Sequence, residues 1–201
     1  MNDKSKFIGF EGYKARIRGI HNEKDMEKAW QWMNDPEVTN FLLTLSPMSW
    51  AAEKEYFSKV GLDPNHKKFA IEDKATGEFI GMMDLSRINF LHRYATTGSV
   101  IGNKDYWRKG FGTDAKMLVL NYAFNTLNLK NVFSEVYDFN KRSLGALKNT
   151  GYKIVGRQKK CVFCNGEWRD RILLCVTKKS FKKAWKQYRS RMESQTTKQD
   201  S

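Results

Sequence analysis

The stretch Tyr106-Trp107-Arg108-Lys109-Gly110-Phe111-Gly112-Thr113 decides the fold of this chain. Two glycines flank a single residue, two cations come directly before them, and a long run of helix-forming apolar residues follows. The first amides of a helix have no partner within the helix, and glycine lets a ligand approach the backbone closely. Cations and the helix dipole favour an anion at the same place, so the stretch predicts a phosphate-binding loop. Taken alone, it also fits a plain strand-to-helix turn with solvated cations, because short glycine motifs often match by chance.

The composition is typical of one globular domain. The chain has 201 residues, of which 40% are hydrophobic and 13% aromatic, which is enough for a full core and excludes a disordered chain. No apolar run approaches bilayer length, and the polar residues 1–6 lack the apolar core of a signal peptide, so we expect a cytoplasmic protein without a membrane partner. An odd number of cysteines, three, fits a reducing compartment.

The net charge of +14 makes a nucleic-acid or acidic partner a hypothesis to consider. Much of the excess positive charge lies after Val176, where the sequence has eight Lys and Arg residues and two acidic residues. Phe181, Trp185 and Tyr188 form a stripe at helical spacing in this segment. We expect the stripe to dock on the body with its cations solvated; the alternative is a weak RNA or ribosome contact through a basic helix.

The predicted divisions of the chain are a tail (1–13), a domain (14–177) and a basic amphipathic helix with its tail (178–201).

Apolar periodicity and turn residues predict the order of elements. The runs that read as strands are 14–20, 68–72, 79–85, 95–101, 131–136, 152–163 and 168–176, and those that read as helices are 22–34, 50–60, 113–127 and 141–150. Short hairpin turns at Lys74-Ala75-Thr76-Gly77 and Asn165-Gly166 favour antiparallel pairing. The pattern predicts a mixed α/β (α+β) domain around a mostly antiparallel sheet of about seven strands.

Several motifs in this order resemble the GNAT superfamily of acyl-CoA-dependent N-acetyltransferases, in particular its RimJ/RimL-type branch. They are residues 32–42 (WMNDPEVTNFL), 98–115 (GSVIGNKDYWRKGFGTDA), 122–124 (YAF), 140–143 (NKRS), 151–152 (GY) with 155–157 (VGR), and 165–170 (NGEWRD). The resemblance covers roughly residues 14 to 176, and motifs matching in order are far more specific than one glycine loop.

The resemblance implies a GNAT fold whose fourth and fifth strands splay apart, with coenzyme A in the gap. By position, the backbone of Val100 and Ile101 would pair with the pantetheine arm. The pyrophosphate would sit on the loop formed by Arg108, Lys109, Gly110, Phe111, Gly112 and Thr113. Acetyl-CoA is therefore the expected co-substrate, and no metal is expected. Cys161-x-x-Cys164 has metal-like spacing, but no second pair completes a zinc site.

Asn140 and Ser143 match the Asn-x-x-Ser pattern of the RimJ/RimL branch. In that branch the serine is placed at the coenzyme A sulfur as a proton donor, and the asparagine hydrogen-bonds the pantetheine or nearby backbone. The resemblance thus implies a catalytic role for both residues. They could equally cap the short helix that follows, and the two roles are compatible.

The amine acceptor is less well defined by the sequence. At the positions of Thr96 and Leu147, related spermidine acetyltransferases carry a glutamate and a catalytic tyrosine. Both differences argue against a polyamine as the acceptor, and so does the positive net charge of this chain. No general base stands out, and Asp84 and Glu135 are candidates by position only. An α-amine, whose pKa is about 8, costs only about 1.4 kcal/mol to deprotonate at pH 7, against roughly 4 to 5 kcal/mol for a lysine amine.

We therefore expect an N-acetyltransferase that moves acetyl directly from acetyl-CoA to an amine. Its acceptor would be a protein N-terminus, a small-molecule amine or a polyamine, in that order. A homodimer is a further expectation. The alternative is a non-catalytic, basic RNA-binding or regulatory module built on a GNAT scaffold.

Overall fold

The computed structural model describes residues 9–20, 22–42 and 46–199, with side chains described as far as residue 191. Most of the predicted tail 1–13 and the last two residues lie outside the described residues. The strands are β1 (Phe10–Glu11), β2 (Ala15–Gly19), β3 (Lys67–Asp73), β4 (Phe79–Asn89), β5 (Tyr94–Ile101), β6 (Asn131–Tyr137), β7 (Lys153–Cys164) and β8 (Glu167–Thr177). The helices are α1 (Glu23–Met33), α2 (Pro36–Thr39), α3 (Trp50–Leu62), α4 (Phe111–Asn121), α5 (Lys141–Asn149) and α6 (Lys178–Gln199), with one 3-10 turn at Lys104–Tyr106 and a π-helical turn at Tyr122–Thr126.

The eight strands form one sheet in the order β1-β2-β3-β4-β5-β6-β8-β7. All neighbours are antiparallel except β5 and β6, so the predicted mixed, mostly antiparallel fold is confirmed. The sheet has eight strands and not about seven because Phe10–Glu11 pairs with β2. Two residues are too few to show the alternation that identifies a strand in a sequence.

The parallel pair β5 and β6 is joined only at its beginning. The paired residues run from Tyr94 with Asn131 to Thr96 with Phe133, and from there the strands separate. At the point of separation the Ser134 hydroxyl donates to the Thr97 carbonyl at 3.0 Å. The predicted splay is confirmed; with β1 counted, it lies between the fifth and sixth strands.

Helices cover both faces of the sheet. On one face, α4 packs on a large core that includes Met83, Leu85 and Leu120. On the other, α1 and α3 enclose a smaller cluster of Ala29, Phe57, Ala70, Phe79 and Met82. The residues of α4 are buried on more than one side, as its apolar pattern predicts.

The C-terminal helix α6 packs against the body through its aromatic stripe. Phe181 is only 1% exposed and lies against Phe124, with ring centroids 5.1 Å apart. Trp185 stacks between Phe181 and Tyr188, and the Tyr188 hydroxyl donates to Asp114. The predicted docking of the stripe is confirmed. Among the helices of the described ranges, none is both long and apolar enough to cross a membrane.

Candidate active site

A groove with a volume of about 170 Å³ lies beside the splay, between β5, α4 and α5. It brings together nine of the ten residues predicted for the site: Val100, Ile101, Arg108, Gly110, Phe111, Gly112, Thr113, Asn140 and Ser143. Lys109 does not line it. The Lys109 ammonium lies 5.9 Å from the centre of the Tyr106 ring, and its carbonyl accepts from Lys14 Nζ at 3.2 Å.

The first turn of α4 forms one end of the groove. Gly110 precedes the helix with φ +91°, a left-handed conformation that favours glycine, and no side chain caps the helix start. The amides of Phe111, Gly112 and Thr113 therefore point out of the helix without a capping partner. A Cβ at Gly112 would lie 3.6 Å from Ile101 Cγ1, so the helix begins directly against β5. This geometry suits an anion.

Trp107 connects the loop to both neighbouring walls of the groove. Its indole N–H donates to the Ile101 carbonyl at 2.7 Å, and the Arg142 guanidinium lies 4.3 Å from its ring centre. Arg142 also lies 5.1 Å from the Phe41 ring. Desolvation, followed by the charge of Arg108, lowers the pKa of Arg142. Sequence reasoning missed Arg142, although it stands inside the NKRS motif.

Lys116 is the second residue that sequence reasoning missed. It is only 4% exposed and lines the groove from α4, and no described residue forms a hydrogen bond with its amine. Burial lowers its pKa to about 7, although the charge of Asp84 acts in the opposite direction. Nothing in the local sequence marks this lysine, since it stands in the mostly apolar run of α4.

The charges lining the groove have one sign. Arg108, Lys116 and Arg142 line it, and none of its described lining residues is Asp or Glu. Cations without carboxylates, next to uncapped helix amides, form a site for a polyanion. The phosphate groups of coenzyme A fit this donor set.

Asn140 and Ser143 stand at the start of α5, on the far wall of the groove. The Asn140 side-chain oxygen accepts from the Ser143 amide at 3.0 Å, so Asn140 caps the helix. The Ser143 hydroxyl has no hydrogen-bond partner in the described part of the chain. Leu147, one turn further along, is 4% exposed and also lines the groove, so that position offers no hydroxyl.

Neither candidate base lines the groove. Asp84, on β4 opposite Gly98 of β5, accepts from Lys68 Nζ at 3.0 Å and lies 2.7 Å from His66 Nε2. Burial acts to raise the pKa of Asp84, but the hydrogen bonds and charges of His66 and Lys68 outweigh it and hold the pKa below its ordinary value. Glu135 on β6 forms an ion pair with Arg171 at 3.3 Å.

Comparison with known proteins places this geometry in a family. Residues 15–153 match the family described as "Acetyltransferase (GNAT) domain". Spermidine N(1)-acetyltransferase of Escherichia coli K12 is 25% identical over 164 residues, which cover 82% of this chain and 86% of the relative. The [Ribosomal protein uS5]-alanine N-acetyltransferase of the same organism is 26% identical over 135 residues, which cover 65% of this chain and 68% of the relative.

The fold is also found among solved structures. Spermidine N-acetyltransferase from Vibrio cholerae, in a crystal structure with CoA and spermine, superposes with a TM-score of 0.77 at 21% identity, covering 84% of this chain and 98% of that one. The family match spans well over half of the chain and includes the splayed strands, the glycine loop and α5. The chain therefore belongs to the GNAT acetyltransferase family and is an acetyltransferase that uses acetyl-CoA as its acyl donor.

Proposed function

We propose that this enzyme transfers acetyl directly from acetyl-CoA to the amine of a protein N-terminus or a small molecule, and that it belongs to the RimJ/RimL-type branch. The observation that carries the proposal is the groove at the splay, with three basic side chains, no carboxylate in its described lining and an uncapped helix start. The enzyme needs no covalent intermediate for this reaction, because both substrates can meet where β5 and β6 separate.

The chain's own residues divide the donor site into two parts. The amides of residues 111–113 hold the pyrophosphate, assisted by Arg108 and Arg142. The end of β5 at Val100 and Ile101 is not paired with β6, and although the Ile101 carbonyl accepts from the Trp107 indole, the rest of this edge is available to the pantetheine arm. When bound, the thioester supplies an activated acetyl group.

Ser143 is the proposed proton donor to the departing sulfur. Ser143 lines the groove, and its hydroxyl has no hydrogen-bond partner in the described part of the chain. Leu147 lines the same groove but has no proton to donate. Asn140 is a positioning residue, because it caps the turn of α5 that carries Ser143. The proton needs only to reach the thiolate as the C–S bond breaks.

The neighbouring carboxylates do not favour a polyamine. Asp35 and Glu37, beside the groove-lining residue Val38, each accept from Lys104 at 3.0 Å. Asp84 is similarly occupied by Lys68 and His66. A polycation needs unpaired carboxylates, whereas a single amine of low pKa needs no strong base. Of the two named relatives from Escherichia coli, the one acting on the alanine of a ribosomal protein is therefore the better guide to the acceptor.

Calorimetry with coenzyme A tests the donor site. The double variant Gly110→Asp/Gly112→Asp puts two carboxylates where phosphates should bind, so we expect binding to fall by at least about 100-fold. Gly61→Asp is the matched control, because a side chain at Gly61 meets nothing within 4 Å and the residue lies outside the groove. Unchanged affinity of the double variant would remove the basis of the proposal.

A screen of acetyl-CoA consumption tests the acceptor. Peptides with free N-termini, aminoglycosides and polyamines are compared at pH 7, and we expect turnover with one of the first two classes. A preference for spermidine would contradict the proposed acceptor. Coenzyme A binding without transfer to any amine would instead support the non-catalytic module.

A further inference from the structure

We propose that Lys116 is an internal acetyl acceptor, so that the enzyme acetylates the wall of its own groove. The inference rests on the proposed function only in placing acetyl-CoA in this groove. It adds a modification site that the transfer to an external amine does not require.

Lys116 lines the groove in which the acyl donor is proposed to bind. Lys116 follows Gly112 by four residues, so the two share one face of α4. That face meets β5 at Ile101 and lines the same groove as Ser143. A lysine side chain on this face therefore shares a cavity with the residues proposed to hold the pantetheine and to protonate the sulfur.

The environment of Lys116 suits a nucleophile. A charged amine without a partner is costly to bury, so burial favours the neutral form, which carries the lone pair. The lowered pKa of about 7 agrees with this geometry. Asp84 on β4 favours the charged form, but burial, the larger effect, favours the neutral amine; Arg108 from the loop and Arg142 from α5 are the other charged groups that line the groove. Lys116 thus supplies a free amine near neutral pH without a separate base.

The transfer is balanced by the two reactants alone. The lone pair of Lys116 Nζ forms a bond to the carbonyl carbon of the acetyl group, and the bond from that carbon to sulfur breaks. The proton lost by the nitrogen goes to the thiolate. The products are N-acetyl-Lys116 and coenzyme A, and an amide that cannot be protonated replaces the amine on the groove wall.

Site-resolved mass spectrometry tests the proposal. The full chain is incubated with acetyl-CoA at pH 7.5 and digested with chymotrypsin, and acetylation at Lys116 is compared with that at the exposed Lys182 of α6. We expect Lys116 to react at least about tenfold faster, because the groove raises the effective concentration of the thioester. Excess coenzyme A should suppress the reaction at Lys116 and leave Lys182 unaffected.

The pH profile gives a second readout. The rate at Lys116 should level off above about pH 7, while the rate at Lys182 continues to rise toward the ordinary lysine pKa of about 10.4. Equal rates at the two lysines, or an unmodified Lys116 in enzyme that binds coenzyme A by calorimetry, would overturn the inference and leave the proposed function intact. Absence of coenzyme A binding would overturn both.

Discussion

The molecule has two cationic regions, the groove and the outer face of α6, and they differ in how their charges are arranged. In the groove, Arg108, Lys116 and Arg142 line one cavity, and Arg142 is stacked on Trp107. On α6 most of the described cations are exposed, among them Lys179, Lys182, Lys183 and Lys186, while the aromatic stripe is turned inward. Salt screens the exposed charges of both regions, including Arg108 and Arg142, and screens the buried Lys116 much less. Convergence on a cavity, and not the number of charges, therefore marks the site.

The largest expected effect comes from breaking the link between the two regions at Asp114. Its carboxylate accepts from the amides of Tyr13, Lys14 and Ala15 and from the Tyr188 hydroxyl, so it joins α4 to β2 and to α6. Asp114→Ala leaves these donors without an acceptor, and we expect a loss of about 4 kcal/mol in the free energy of unfolding, measured with urea. Tyr188→Phe removes one donor only and should cost about 1 kcal/mol. A loss below about 1 kcal/mol for Asp114→Ala would show that the link does not stabilise the fold.

Lys116→Met should stabilise the protein at pH 7 by about 3 kcal/mol. The pKa of Lys116 is about 7 in the folded chain against 10.5 as the ordinary value, so the unfolded state binds more protons between these limits. The free energy of unfolding of the unmodified protein therefore rises as the pH is raised from about 7 to 10.5. In the variant this part of the pH dependence should be absent. Lys182→Met is the control on α6 and should change neither quantity. Destabilisation by Lys116→Met would contradict the unpartnered state of the amine.

The variant Arg142→Ala tests whether coenzyme A binds to the cations of the groove or to those of α6. We expect coenzyme A affinity to fall about 30-fold, equivalent to about 2 kcal/mol, because a charge-assisted contact in the groove is lost. Lys182→Ala removes a cation from α6 and should leave calorimetric affinity unchanged. Equal losses for both variants would indicate general attraction by the net charge and would contradict a specific role for Arg142.

The smallest effect is expected from the cations of α6. Replacing Lys179, Lys182, Lys183 and Lys186 together by Gln should change coenzyme A affinity by less than about twofold at physiological salt. If α6 contacts RNA, the same variant should flatten the dependence of RNA affinity on salt concentration. RNA binding with the original salt dependence in this variant would exclude α6 as the contact.

Short-range sequence patterns were sufficient to predict most of the fold. The glycine loop, the hairpin turns at Gly77 and Asn165-Gly166, and the Ser49 cap of α3 depend on residues within a few positions of one another. The Phe10–Glu11 strand escaped prediction because pairing with β2, and not its own pattern, makes it a strand. Nine of the predicted site residues meet in one groove, although their chemical roles remain predictions.

The sequence by itself thus determined the order of elements, the loop before α4 and the resemblance to acetyl-CoA-dependent enzymes, because periodicity and turn geometry are short-range properties. Only the tertiary structure decided which charges act together. Arg142 stands 35 residues after Trp107 in the chain, yet their side chains stack, and Lys116 becomes a groove residue only because α4 begins against β5. Electrostatics and burial depend on distances in space, and folding brings those distances about.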